Sequence, residues 1–408
     1  MAESQLPPEA PPESQPPSDD QYPGMMDRVT GVGESLRRAL LLPTLALLLA
    51  LLVGAVIIMV TDVDAWRRMG DEPVAAIRDM LEGVWVAYRE LFVGAFGSVR
   101  AISETLFTAT PLILAGLAVA VGFRAGLFNI GARGQIFIGG LFALWVGLHV
   151  DLPLLLHVPL AVVAAIVGGG IWGGIAGLLK ARTGAHEVIT TIMLNFIAAF
   201  FVLWVLKTSI FQVEGSSIPK SAPIVESARL PTLFGDQYRV NIGIFLALGA
   251  VFFVYWLLFK STLGFEFRAA GYSPGASLYA GMNVAFLYTA VMFISGGLAG
   301  MAGATQTLGL PPYTVTDNFA GTIGFDAIAL ALLGRSHPFG VLWSGLLFGA
   351  LIAGGRTMQA AAGVSVDLVI VMQALIVIFI AAPELVRTIF GMKPTEEGPT
   401  QLTKGWGA

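Results

Sequence analysis

The sequence predicts an all-α, polytopic transmembrane bundle of about ten spans, and three observations carry that expectation. Hydrophobic residues make up 56% of the 408-residue chain and charged residues only 12%, with a mean hydropathy of +0.78; a soluble domain is about a quarter charged. Apolar runs of about 20 residues, enough to cross a hydrocarbon core, recur along the chain. The short alternating segments that a membrane barrel needs are not evident in it.

The chain opens with residues 1–23, rich in Pro, Glu, Ser and Gln, with Glu3, Glu9, Glu13, Asp19 and Asp20 and no Lys or Arg before Arg28. Such a stretch cannot bury enough apolar surface to fold, so disorder is expected. It lacks the basic start and apolar run of a signal peptide. An acidic Pro-rich tail is set at 1–35, a transmembrane domain at 36–388 and a C-terminal tail at 389–408. The expected spans are 40–60, 105–123, 134–150, 157–179, 187–207, 241–259, 284–305, 320–334, 339–355 and 366–383. Arg28, Arg37 and Arg38 precede the first span; Lys180 and Arg182 follow the fourth, Lys260 and Arg268 the sixth, Arg335 the eighth, and Arg387 and Lys393 the tenth. All lie on one side if both termini are cytoplasmic, which predicts a multi-pass protein of the cell (inner or plasma) membrane in that orientation.

The outside then receives two long connections. Residues 61–104 contain Val74, Ile77, Leu81, Val84 and Tyr88 on one helical face, a pattern suited to a helix lying along the surface. Residues 208–240 carry Pro219, Pro223 and Pro231. Both suit either plain connection or the docking of a substrate-delivering receptor. Small residues recur four apart at Gly169, Gly173 and Gly177, at Gly296, Gly300 and Ala304, and at Gly345, Gly349 and Ala353. Lipid gives helices no hydrophobic reason to associate, so these stripes predict close backbone packing.

Composition excludes several chemistries. With no cysteine, thiolate catalysis, disulfides and cysteine metal sites are absent. His149, His157, His186 and His337 show no metal-ligand spacing, and His149 and His157 read as membrane-edge residues. No basic, aromatic-interleaved patch points to nucleic acid. There is neither a phosphate-binding P-loop nor a dinucleotide fingerprint, so ATP-driven work requires another subunit.

Three segments carry positive signals. Gly126-Leu127-Phe128-Asn129-Ile130-Gly131-Ala132-Arg133-Gly134-Gln135 interrupts an apolar stretch; glycines and amides there break a helix and free backbone groups, either inside the membrane or in a cytosolic loop. Residues 180–196 gather Lys180, Arg182, His186, Glu187 and Asn195 at the start of the fifth span. Glu187 suits a cap at the positive helix end, with a proton relay as the alternative. Residues 262–282 string small residues around Arg268, as suits a short helix pressed into a partner's cleft.

These segments resemble the GLFNIG-x-x-GQ signature, the K-A-x-x-G-x-H-E-V-I-x-T-I-M-L-N block and the T-x-x-G-x-x-x-R-A-x-G coupling segment of ABC-importer permeases. The resemblance is to the nucleoside and simple-sugar branch of the ribose and branched-chain amino-acid permease family, and it covers roughly residues 90–385. It implies an inverted pair of five-helix halves. It also implies ATPase subunits that dock on 262–282 through Gly264, Arg268, Ala269, Gly271, Ala276 and Gly281, a second permease subunit, and an extracytoplasmic substrate-binding protein. The chain itself is expected to hold no cofactor and to be no enzyme, with ATP and magnesium in the partner. Two departures stand out: Ser273 and Pro274 replace the commoner start of the coupling helix, and Arg133 stands where the family pattern has a carboxylate.

Within the membrane the uncompensated polar residues are Asn129, Gln135, Asn195, Gln306, Asp326 and Gln373. A carboxylate at the bilayer centre costs about 2.5–3.5 kcal/mol, so Asp326 should face a path or a partner, with a helix-capping role equally open. Asn129, Gln135, Asn195, Gln306 and Asp326 are therefore the expected pathway residues. The expected function is ATP-driven nucleoside import. The rivals are a simple-sugar permease of the same architecture and an ion-coupled transporter using Asp326 and Asn129 as ligands.

Overall fold

The computed structural model describes residues 25–391 apart from 214, 216, 217, 236 and 366. Among them the chain is helical with no strand, only isolated bridges in its connections. The first helix, α1 (Met25–Thr61), is followed by the short α2 (Val63–Arg68) and by α3 (Pro73–Phe96). The next four are α4 (Val99–Arg124), α5 (Ala132–His149), α6 (Leu154–Thr183) and α7 (Glu187–Val205). After a long connection come α8 (Gly243–Lys260), then α9 (Thr262–Tyr272), α10 (Pro274–Tyr279) and α11 (Val284–Gly309). The chain continues through α12 (Ile323–Leu333), α13 (Pro338–Ala362), α14 (Asp367–Ala381) and α15 (Pro383–Ile389).

All ten expected spans are helices. Seven are long and apolar enough to cross a membrane, namely 44–61 within α1 together with α4, α6, α7, α8, α11 and α13. α5 has the 18 residues of α8 but carries Arg133, Gln135 and His149, while α12 and α14 are shorter; α5 and α12 begin only after the non-helical stretches 125–131 and 310–322. α1 begins at Met25, within the stretch set as the N-terminal tail, and no proline follows Pro23 before Pro43. The rest of that tail, and residues 392–408, lie outside the described residues.

The helix expected to lie along the surface is packed into the flank instead. Ala76, Met80, Ala87 and Ala95 of α3 are buried, and a Cβ added to Gly94 would overlap Thr357 of α13. The Tyr88 hydroxyl donates to the Leu51 carbonyl of α1. Its small residues allow this close approach, while Val74, Ile77 and Leu81 stay exposed.

The core sits around α4, buried almost without a break from Phe107 to Gly122. Packing follows an internal symmetry. The pair α4–α13 matches α11–α6, α12–α4 matches α5–α11, α12–α13 matches α5–α6, and α12–α14 matches α5–α7. Exchanging the two sets maps these pairs onto one another, as an internal repeat requires. The exchange is not followed by α1, which packs on α14 and α3, by α3, which packs on α13, or by α8, which packs on α4 and α13.

The glycine stripes supply the contacts. A Cβ on Gly173 would stand 3.0 Å from the Gly296 Cα, and one on Gly177 would stand 2.7 Å from the Tyr288 carbonyl oxygen. Across the symmetry, a Cβ on Gly349 would meet the Ala109 Cβ at 2.7 Å. Backbone-to-backbone contact of this kind replaces hydrophobic association inside lipid. Gly173→Val is therefore expected to cost about 1–3 kcal/mol, the usual penalty for overpacking. Thermal unfolding in detergent checks it, with Gly249→Ala on α8, where an added Cβ meets nothing within 4 Å, as the neutral control.

Candidate functional site

After α4 ends at Arg124, Gly126 turns the chain at φ +69° and residues 127–130 run without helical structure to α5. The segment is not a solvent loop. Leu127 and Asn129 are buried, and the run passes between α4, α7 and α11 into the bundle. Backbone groups freed there need partners, because lipid offers none. Asn129, wholly buried, serves one of them and ties the break to neighbouring side chains. Its amide donates to the Gln135 Oε1 at 2.9 Å and the Ser295 Oγ at 2.7 Å, while its Oδ1 accepts from the Gly131 N–H at 2.9 Å and the Gln135 Nε2 at 3.1 Å. Ser295 in turn donates to the Ala118 carbonyl at 2.6 Å. Asn195 repeats the device from α7, accepting from the Gly134 N–H and donating to the Ile130 carbonyl, both at 2.8 Å.

Of the expected pathway residues, Asn129, Gln135 and Asn195 share a packed, hydrogen-bonded junction at the helix break. Gln306 is half-buried on α11 between the buried Thr305 and Thr307, and Asp326 is half-buried on α12. Asp326 accepts from the Thr322 hydroxyl at 2.8 Å in the first turn, where a carboxylate also suits the helix dipole. Gln373 is buried on α14.

Glu187 opens α7, in the first turn where a carboxylate suits the positive helix end. It binds the Lys180 Nζ at 2.6 Å, so one ion pair fastens the end of α6 to the start of α7, and the Phe128 N–H points toward it at 3.5 Å. His157, read as a membrane-edge residue, is fully buried. Its Nε2 lies 3.1 Å from the Val146 carbonyl and its Nδ1 2.9 Å from the Ser227 hydroxyl. Because a carbonyl only accepts, Nε2 carries the proton and Ser227 donates to Nδ1.

The 262–282 segment folds as two short helices. Ser261 caps α9, accepting from the Gly264 N–H at 3.0 Å, and Ser273 caps α10, accepting from the Ala276 N–H at 3.3 Å, with Pro274 at the first helical position. The departure at Ser273-Pro274 is thus a sound helix start. Gly264 lies against α8, where a Cβ would come within 2.8 Å of the Leu258 Cα. Gly271 lies against the buried break itself: a Cβ there would stand 2.7 Å from the Gly126 nitrogen. Two motifs 145 positions apart in number thus meet glycine to glycine.

Of the expected coupling residues, Gly264 and Gly271 face inward, as does Arg268, which reaches back to the Gly264 carbonyl at 3.3 Å and lies over Phe259. Ala276 and Gly281 are exposed and Ala269 is half-buried. Composition alone overlooked the largest outward groups, Tyr279 at 97% exposure, Tyr272 at 76% and Leu278 at 66%. Their signal was in the sequence: bulky apolar side chains in a segment too short and too polar to span. Arg133 donates to the Asn318 Oδ1 at 2.9 Å and lies over Phe137.

Asn129→Ala strands the Ser295, Gln135 and Gly131 groups, each loss costing about 1–3 kcal/mol in a buried site. The variant should therefore lower the detergent melting temperature sharply. In this cysteine-free chain the thiol of an Asn129→Cys variant should resist water-soluble reagents until the protein unfolds.

A family model described as the permease component of the branched-chain amino acid transport system matches residues 101–381. The guanosine ABC transporter permease protein NupP of Bacillus subtilis (strain 168) is 38% identical over 86% of this chain and 96% of its own length. The nucleoside ABC transporter permease protein NupB of Lactococcus lactis subsp. cremoris is 35% identical over 86% and 93%, respectively. The glucose ABC transporter permease protein TsgB13 of Haloferax volcanii is 35% identical over 85% and 88%. No solved structure matches.

Proposed function

We propose that this chain, which belongs to the family of permease components of the branched-chain amino acid transport system and is the membrane-spanning subunit of an ABC importer, carries nucleosides. It is a transport subunit and not an enzyme, working with a separate ATPase and a binding protein. The observation that carries the substrate reading is the similarity, along nearly the whole of both chains, to two permeases named for guanosine and for nucleosides. The 35% identity to a permease named for glucose, against 38% and 35% for those two, makes a simple sugar the second reading.

In this reading the face bearing α9 and α10 is cytoplasmic. Lys180, Arg182, Lys260 and Arg335 follow spans that end on it, in keeping with the positive-inside rule. The ATPase takes the exposed Tyr272, Leu278 and Tyr279 into a cleft, and two permease subunits share the assembly. ATP and magnesium bind in the ATPase. Movement of α9 reaches the bundle through the Gly271–Gly126 contact, and the junction at Asn129 passes it to α4, α5 and α11. Arg268 acts as a positioning residue that holds α9 against Phe259.

The complete complex in liposomes tests both parts. ATP-dependent uptake of labelled guanosine and uridine should exceed that of glucose and leucine; accumulation of glucose alone overturns the nucleoside reading. Leu278→Ser with Tyr279→Ser should lower solute-stimulated ATPase activity by about tenfold, the equivalent of about 1.4 kcal/mol of docking energy, with membrane insertion intact. Unchanged stimulation would refute docking through these side chains.

A further inference from the structure

We propose that Arg133, Asn318, Thr322 and Asp326, beside the rings of Phe319 and Phe325, form a solute-contact station on the transport pathway that takes a nucleoside. The identity of the solute rests on the nucleoside reading above; the existence of the station rests on geometry.

The starts of α5 and α12 touch, since a Cβ on Gly324 would stand 2.5 Å from the Arg133 Cα. Arg133 gives one guanidinium nitrogen to Asn318, and its Nε is buried without a partner. Its guanidinium lies 5.4 Å from the Phe137 centroid, and that ring meets Phe319 edge-on at 5.3 Å. Thr322 and Asp326 are joined at 2.8 Å on the neighbouring helix start. Among the described residues no ion pair joins Arg133 to Asp326, so opposite charges sit on adjoining helices without neutralising each other.

Exposure gives this cluster its direction. Thr316 bridges to Lys220 in the long connection, on the opposite face from α9 and α10. From there the exposed Asp317, Asn318 and Thr322 lead along the chain to the half-buried Asp326. Polar and charged groups at such a place are expensive against lipid. The exposed side of α7 shows what lipid accepts: Ile189, Met193, Phe196, Ile197 and Phe200. The approach to α12 therefore meets water and solute.

The side chains suit a neutral solute with a flat base and a ribose diol. A carboxylate accepts from two adjacent hydroxyls, the arrangement by which acidic residues hold ribose elsewhere. A guanidinium and an amide donate to, or bridge, the hydrogen-bonding edge of a base. Phe325, half-exposed, offers a ring on which a base stacks. A free sugar offers hydroxyls to the same polar groups but no flat base to stack on the ring.

The test uses the assembled complex with its ATPase and binding protein. Wild type should prefer guanosine to dideoxyguanosine, which lacks the diol, and Asp326→Asn should narrow that preference by about tenfold. Phe325→Ala should lower guanosine uptake at subsaturating concentration while Phe325→Tyr preserves it. An equal fall for every solute in all variants would mean a structural role and overturn the station. Thiol labelling provides a readout independent of transport. In the cysteine-free chain, Asn318→Cys and Thr322→Cys should react with water-soluble maleimide, guanosine slowing them several-fold, whereas Phe200→Cys stays unreactive. No reaction at 318 and 322 in either the resting or the nucleotide-trapped complex overturns the proposal. If wild type carries only sugar, the nucleoside reading falls, and protection of both thiols by that sugar preserves the station with its ligand class replaced.

Discussion

The structure depends on one constraint: a backbone that stops being helical inside a membrane must still satisfy its hydrogen-bonding groups. Residues 125–131 break the helical path within the bundle. Two asparagines meet the cost, Asn129 from within the break and Asn195 from the neighbouring helix. An amide side chain is suited to this because it presents donors and an acceptor and needs no proton exchange. The surrounding helices are drawn in to complete the set, α11 through Ser295 and α4 through the Ala118 carbonyl. A polar junction of this kind, fully satisfied, fixes the register of the elements it joins.

The second ingredient is the absence of side chains where backbones meet. α6 and α11 approach through Gly169, Gly173, Gly296 and Gly300, and α4 and α13 approach through Ala109 and Gly349. The same economy operates at the boundary of the bundle, where Gly126 and Gly271 touch. Dispersion falls steeply with separation, so contacts made by backbone atoms hold a defined distance. A displacement of α9 thus has no compliant side chain in which to be absorbed before it reaches the break. For a permease driven by an ATPase outside the membrane, that stiffness is the useful property.

Much of this was legible in the residues. The ten helices follow from apolar runs and their glycine stripes, because both are local properties of sequence and lipid acts on each span separately. The Lys180–Glu187 pair was visible as a charged cluster, though its role as a clasp between α6 and α7 was not. The hydrogen-bonded junction of Asn129, Gln135 and Asn195 was not legible, because a polar residue in an apolar run signals an obligation without naming the partner that meets it. Their partners Ser295, Ile130 and Gly134 lie up to 166 positions away in the chain. Likewise Val74 to Tyr88 gave a correct helix but the wrong resting place, since the decisive small residues of α3 act only against α13.

The burial of α4 has a consequence for how the protein is made. A helix enclosed from Phe107 to Gly122 ends up touching little lipid, and its principal partners α11, α12 and α13 are all synthesised more than 150 residues later. During synthesis, at about 5–20 residues per second, α4 emerges many seconds before the helices that enclose it. Its apolar composition therefore serves two successive surroundings: lipid in the nascent chain, and protein once the second half arrives. The enclosure of α4 is complete only once α11, α12 and α13 have all been made.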